Sequence, residues 1–561
     1  MSFLPVMIRE RMITPSIKRT LILVMVAGFA VNVLLLTSPL YMLQMYDRVL
    51  TSRSIATLAA LSVIALFLFI GYGFLEVIRS RLMIDISTEI DERLNEVLFD
   101  SVFREALVFQ KTGAQSVRDL ETLRSVIAGH ALISLFDLPW APFFIALIFV
   151  MHPILGGVAF AGAGVTLFLA ILSERMTRPK VADTSKLQIR ASRFIDSCLR
   201  NVDAIHSMGM TPAIRARWLN DYSHSVRLGA ETAEQITSFS GSGKALRIIL
   251  QSTILGTGAW LVLQGGVTPG VMVAASIIFG RAIGPLEHSI AASKGLLSAK
   301  LAMQRLDSLL VKHGTVNEQM QLPAPKGELQ VEGLYLIPPG SQKPVLQNVS
   351  FQLHQGEVLV VVGSSASGKS SLAKALVGLW TPARGIVRID GASLHQWDPI
   401  QLGNHIGFVP QDVELLEGTV KENISRFKDI DADSIVEAAN YASCHQMILG
   451  LPNGYDFKLG EGGGSLSAGQ SQRVALARSF YGNPSLVVLD EPDANLDLEG
   501  KSALERAIVS MKQKGVTIVI ITHNIRLMRY ADKALMLSGG MLSFFGKPVE
   551  LLQKLKAGSA S

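Results

Sequence analysis

Charge-free apolar runs crowd the first half of the chain and vanish from the second. Residues 21–45 hold no charged side chain over 25 positions, and 55–75 none over 21. Roughly 20 apolar residues in a helix cross about 30 Å of hydrocarbon, so each run predicts a membrane span. A third run, about 131–151, contains one acid, Asp137, and a fourth covers 154–172 after His152-Pro153. A fifth covers about 248–263; beyond the turn-like residues 264–270 a sixth runs over 271–290. No comparable run follows residue 300. The first run is too long for the apolar core of a secretory signal and is expected to be a retained anchor helix.

Two long connections separate these runs, about 52 residues over 79–130 and about 75 over 173–247. They are apolar at helical spacing, as at Ile90, Leu94, Val97, Leu98 and Val102, and poor in turn signals. They are expected to be helical extensions of the spans, whose arms of about 22 residues reach roughly 33 Å beyond the membrane. Their tips, near Gln110–Ser116 and His206–Met210, are expected to pass motion to the spans. Arg9, Arg11, Lys18 and Arg19 precede the first span, and basic residues from Arg79 onward crowd both long connections. The opposite connections hold only Arg48 and Arg53. Basic residues stay cytoplasmic, so both termini and both arms are expected inside. Arg281, about 11 residues into the sixth span, and Glu287 and Asp137 fall in or near spans. Charges there line a wet path or pair with one another. Both readings stay open for Arg281: a pathway residue, or a pairing residue that assembles the bundle.

Composition supports a two-part chain. Hydrophobic residues make up 49% and charged residues 17%, too apolar for a wholly soluble protein and too charged for one that is all membrane. Two cysteines, Cys198 and Cys444, exclude a disulfide framework. The net charge of +6 belongs with the inner loops, and nucleic-acid binding is not expected. The expected layout is an α-helical membrane domain over 1–310, a linker over 311–327 and an α/β domain over 328–555.

In the last part, strand-like and helix-like runs alternate. A strand-like run, Glu357 to Val362, leads into Gly363-Ser364-Ser365-Ala366-Ser367-Gly368-Lys369-Ser370, and a helical segment opens at Ser371. This is the phosphate-loop pattern: glycines let backbone N–H groups curl around phosphate oxygens, and the following helix start adds partial positive charge. Lys369 is expected on the β- and γ-phosphates and Ser370 on Mg²⁺. A second strand-like run, 486–489, ends in Asp490-Glu491, where one acid can hold Mg²⁺ and the other polarise the attacking water. Gln411 follows Val409-Pro410, and His523 follows a third strand-like run. Leu466-Ser467-Ala468-Gly469-Gln470 reads as a capped helix start that can also hold a phosphate.

Taken in order, the phosphate loop, Pro410-Gln411, Leu466 to Gln470, Leu489-Asp490-Glu491-Pro492, Asn495-Leu496-Asp497 and Thr522-His523 resemble the nucleotide-binding domain of an ABC transporter. Six spans before it resemble a type I exporter half. Tyr41 to Leu50, Asp137 to Pro142 and Pro410 to Leu416 are similar to bacterial type I secretion ATPases of the protease- and lipase-exporting kind. The resemblance implies ATP and Mg²⁺ as cofactors, with the phosphates on the loop backbone and Lys369. It puts Ser370, Gln411 and Asp490 at the metal, Glu491 as general base and His523 on the γ-phosphate. It puts Ser467, Gly469, Gln470 and Asp497 on ATP held by a second copy, hence a homodimer. It implies an inner-membrane exporter of an unfolded polypeptide, with a periplasmic adaptor and an outer-membrane channel. Two departures, Ala366 and Ala468 where glycine is usual, are small and expected to do little harm. The usual adenine-stacking position falls on Ile337-Pro338-Pro339, with Tyr335 nearby, so loose base selectivity is expected. A lipid or drug exporter, a peptide exporter with a processing protease, and a membrane switch that only binds ATP are the alternatives. The cysteine-free first twenty residues argue against a fused cysteine peptidase.

Overall fold

The computed structural model describes residues 14–109, 114–313, 321–460 and 465–558. The chain divides near residue 315 into two compact units. In the first, six helical stretches are long and apolar enough to cross a membrane: Pro15–Ser52, Ile55–Leu107, Ala131–Met151, Pro153–Leu199, Thr211–Leu263 and Pro269–Ala291.

The first stretch is not one straight helix. It comprises α1 (Pro15–Leu34), α2 (Thr37–Gln44) and a π-helical turn at Met45–Val49. Then α3 (Ile55–Phe109) runs unbroken for 55 residues. The third stretch is interrupted: α4 (Ala114–Ile127) precedes α5 (His130–Asp137), a 3₁₀ turn at Leu138–Trp140, and α6 (Ala141–Met151). Pro139 and Pro142 lack the amide hydrogen that a continuous α-helix needs there. The chain continues as α7 (Pro153–Leu199, 47 residues), α8 (Thr211–Leu263, 53 residues), α9 (Pro269–Ala291) and α10 (Ser293–His313). At 1.5 Å per residue, α3, α7 and α8 are about 70–80 Å long, more than twice the hydrocarbon thickness. The long connections are therefore helical extensions. Of the expected arm tips, 110–113 lie outside the described residues. The other tip is a short helix, Val202–Ser207, between exposed Leu199 and Met208.

Two apolar cores hold this unit. One joins Ile17 and Val24 of α1 with Met83 to Leu98 of α3, Leu120 and Leu123 of α4 and Leu306 to Leu310 of α10. The other joins Phe144 and Ile148 of α6, Leu155 of α7, Ile254 of α8 and Phe279 of α9. Outward-facing Phe67 and Ile70 are mostly exposed, as lipid-facing positions are.

The charged residues separate clearly. Asp137 accepts from Arg79 at 2.7 Å and from Asn32 at 3.0 Å, and Arg79 also pairs with Glu76. The sequence counts Arg79 among the basic residues of an inner connection; the structure places it 4% exposed, against Asp137 and Glu76. Glu287 pairs with Arg247 at 2.9 Å. Arg281 is exposed, and no acid among the described residues pairs with it. Asp47, in the π-helical turn, accepts from Thr268 Oγ1 at 2.6 Å and from the Gly270 amide at 2.8 Å, capping α9. A Cβ at Gly270 would lie 2.6 Å from that carboxylate, so glycine is required.

The second unit is α/β. Its main sheet contains β3 (Val358–Gly363), β5 (Ile406–Val409), β6 (Leu486–Asp490), β7 (Thr517–Ile521), β8 (Lys533–Ser538) and β9 (Met541–Gly546), after β1 (Leu329–Leu336), β2 (Leu346–Leu353) and β4 (Arg384–Ile389) of a second sheet. The main order is β9-β8-β3-β7-β6-β5, with β3, β5, β6, β7 and β8 parallel to their neighbours and β9 antiparallel to β8. In the smaller sheet, β1 lies antiparallel between β2 and β4. Period-two alternation splits β3 between two cores. Val358 and Val360 pack toward Ala475 and Ile508; Leu359 and Val361 pack toward Leu334, Val387 and Leu372. Burial on both faces explains the unbroken apolar runs that mark these strands.

Candidate functional site

Parallel strands end together, and loops at their carboxyl ends form the binding edge of such sheets. Register pairs Ile521 with Asp490 and with Val361, and Val409 with Leu489. That brings the phosphate loop, Gln411, Asp490-Glu491 and Thr522-His523 to one edge.

From Gly363 the loop turns into α11 (Lys369–Leu376). Gly368 caps this helix at φ +97, where a Cβ would lie 2.6 Å from Leu346. Ala366 sits at φ +62, where a side chain costs about 1 kcal/mol relative to glycine. The departure is therefore one of strain as well as size. Ser364, Ser365 and Ala366 are exposed, Ser371 half-buried, and Ser367 buried with an unpartnered hydroxyl. Lys369 is 6% exposed and donates to the carbonyls of Gly363 at 3.0 Å and Ser364 at 2.9 Å. Its hydrogen bonds at the loop are to carbonyl groups.

Asp490 is 3% exposed, and its Oδ1 has no hydrogen-bond partner. Burial raises its pKa; the hydrogen bond from Ser370 opposes this, and the neighbouring Glu491 charge adds to it. A buried carboxylate oxygen beside a serine hydroxyl suits a hard cation. Glu491 adopts φ +50, a strained conformation for a residue with a Cβ. Its backbone amide donates to the Ile521 carbonyl at 2.8 Å. Its carboxylate meets Gln411 Nε2 at 3.3 Å and His523 Nε2 at 3.3 Å. Lys369, Ser370, Gln411, Asp490, Glu491 and His523 thus form one group.

The remaining candidates form another. Ser467 caps α12 (Ala468–Phe480), and its capping box occupies the Gln470 side chain, whose Oε1 accepts the Ser467 amide at 2.9 Å. Gly469 lies so near the Asn495 carbonyl that a Cβ would stand 3.0 Å from it. Asp497 caps α13 (Leu498–Gln513), accepting the Gly500 amide at 2.7 Å, and pairs with Arg473 of α12 at 2.9 Å. The Gly500 bond, then Arg473, hold its carboxyl below the usual range. No hydrogen bond among the described residues joins Ser467 or Gly469 to the phosphate loop. Tyr335 is half-buried in β1, where its carbonyl accepts the Ala383 amide at 2.8 Å.

Motif reading misses two features. Arg426 is half-buried and donates to the carbonyls of Gly403, Arg478, Ser479 and Tyr481, the last three at the end of α12. Burial lowers its pKa to about 10. Asp493 binds both neighbours of His523. A lone arginine outside any motif carries no sequence signal. Asp493, two residues past Glu491, falls between two motifs and inside neither.

A membrane unit and a phosphate-binding α/β unit on one chain define an ATP-driven transporter. Residues 346–494 match the ABC transporter family, and 21–286 match the ABC transporter transmembrane region. The chain is 41% identical over 530 residues to the type I secretion system ATP-binding protein PrsD of Rhizobium meliloti (strain 1021), covering 94% of this chain and 91% of that one. It is 28% identical to the toxin RTX-I translocation ATP-binding protein of Actinobacillus pleuropneumoniae, over 98% of this chain and 78% of that one. Its fold matches a bacterial Atm1-family ABC exporter solved with ATP bound, with a TM-score of 0.84 over 96% of each chain at 19% identity. The chain belongs to the ABC transporter family, among the type I secretion ATP-binding proteins. It couples ATP hydrolysis to export as the energising component of such a system.

Proposed function

We propose that two copies of this chain sandwich ATP and drive an unfolded polypeptide outward across the inner membrane. The observation that carries this reading is the separation of the two groups of site residues. One group surrounds the phosphate loop; the other, around Ser467 and Gly469, makes no hydrogen bond to it among the described residues. A second copy would bring the groups together around nucleotide. The functions of the relatives, secretion and toxin translocation, support a protein cargo. A periplasmic adaptor and an outer-membrane channel complete the path, and both termini and the ATP-binding unit lie in the cytoplasm.

At the site, Lys369 and the loop amides hold the phosphates. Ser370, Asp490 and the side-chain oxygen of Gln411 would supply oxygen donors for Mg²⁺, whose charge would offset that of the phosphates. Glu491 accepts the proton of the attacking water, and His523 contacts the γ-phosphate. Pro338, at the usual adenine position, offers the base an aliphatic face.

The test is the protein content of the medium around cells that carry Lys369→Ala. One or more secreted proteins should vanish with membrane lipids unchanged. Unchanged secreted proteins with altered lipid distribution would favour the lipid exporter. Arg281 is proposed to face the translocation path, because an exposed guanidinium in mid-span requires water or a partner. Arg281→Met should lower export several-fold, by roughly 1 kcal/mol or more, with ATP turnover and assembly intact. Unchanged export removes the pathway role.

A further inference from the structure

Asp493 lies in the loop between β6 and α13, two residues beyond Glu491. Its two oxygens accept separate bonds: Thr522 Oγ1 donates to Oδ1 at 3.0 Å, and Asn524 Nδ2 donates to Oδ2 at 3.0 Å. Thr522 and Asn524 are the chain neighbours of His523 on either side. Thr522 is buried, and its hydroxyl also accepts the Asn524 amide at 2.9 Å. One carboxylate therefore fixes the backbone on both sides of the histidine.

The imidazole needs such support. Its side chain is 53% exposed, and its partner among the described residues is Glu491 at 3.3 Å. For a half-exposed ring with one weak contact, the backbone conformation sets which rotamers are open to it. The other side of the Asp493 loop is also held. Gln472 Nε2, from α12, donates to the Pro492 carbonyl at 3.2 Å, and Arg473 pairs with Asp497. The loop is a bracket between the start of α12 and His523.

We propose that Asp493 is the positioning residue for His523, clamping Thr522 and Asn524 so that the imidazole meets the terminal phosphate. It ties this alignment to the loop that carries Asp497. The inference rests on the reading of His523 as a γ-phosphate contact.

The experiment measures kcat, KM and nucleotide affinity of the full chain in lipid for Asp493→Ala, Asp493→Asn, Thr522→Val, His523→Ala and the Asp493→Ala/His523→Ala double variant. Asp493→Ala should lower kcat roughly tenfold or more, with ATP affinity within about threefold of the parent, because misplacement rather than lost binding is the cause. Asp493→Asn keeps one acceptor oxygen and should fall between. The double variant should be no slower than His523→Ala alone, the mark of a residue acting through another. Losses that multiply would overturn the proposal. So would Asp493→Ala turning over within about twofold of the parent while His523→Ala is crippled. Should His523→Ala itself turn over normally, the γ-phosphate reading fails and the inference falls with it. Should Asp493→Ala fail to bind nucleotide, Thr522→Val, which spares the carboxylate and its bond to Asn524, decides in its place: a lower kcat supports the clamp and an unchanged one overturns it.

Discussion

Replacing Glu491 by glutamine should cut ATP turnover by about 10²–10³-fold while leaving ATP bound. The substitution keeps volume and an acceptor oxygen, so the contact with His523 at 3.3 Å survives in kind. It removes the carboxylate proposed to take a proton from water. Asp490 is a poor substitute: at 3% exposed it is shielded from solvent water. The φ of +50 at Glu491 is a backbone property that glutamine tolerates equally, so the fold should not report the change. Phosphate release measured beside nucleotide retention checks this. Turnover within about tenfold of the parent would place the base elsewhere.

Replacing Arg79 by methionine should destabilise the membrane unit by about 3–5 kcal/mol. The guanidinium bridges Asp137 at 2.7 Å and Glu76 at 2.9 Å. Its loss leaves both carboxylates without their cation in an apolar bundle, where burying unpaired charge is expensive. Asn32 keeps its bond to Asp137, which softens the loss only in part. Neutralising the acids as well, in Arg79→Met/Asp137→Asn/Glu76→Gln, should recover most of the stability, because it removes the stranded charge. Thermal unfolding of the purified protein in detergent distinguishes these outcomes. A single variant as stable as the parent would mean that the pair sits in water.

These two cases show where sequence reasoning reaches and where it stops. Long charge-free runs give the spans because the bilayer imposes a length and forbids charge. The phosphate loop, Asp490-Glu491 and the Ser467 helix start are readable because each is a local device, complete within a few residues. Arg79 is not readable: it lies just past a charge-free run, where a basic residue ordinarily marks the inner loop. Its partner is 58 residues away in sequence. Asp493 binds residues 29 and 31 positions away, and Arg426 reaches carbonyls more than 50 positions away. Such contacts arise from topology, and no periodicity announces them. The bends in the first and third spans lie between these extremes. Pro139 and Pro142 signal the second break, whereas the π-helical turn that carries Asp47 has no local mark.

The sharpest measurement is the amount of ATP trapped by dimers that carry Glu491→Gln with a second lesion in each chain. One chain also carries Lys369→Ala, the other Ser467→Arg, and mixed dimers are isolated by two different tags. If each nucleotide is shared between copies, neither parent homodimer traps ATP. The mixed dimer, with one undamaged composite site, traps half of what Glu491→Gln alone traps. If the Ser467→Arg homodimer traps as much as Glu491→Gln alone, each chain holds its nucleotide without its neighbour, and the shared-site mechanism is wrong.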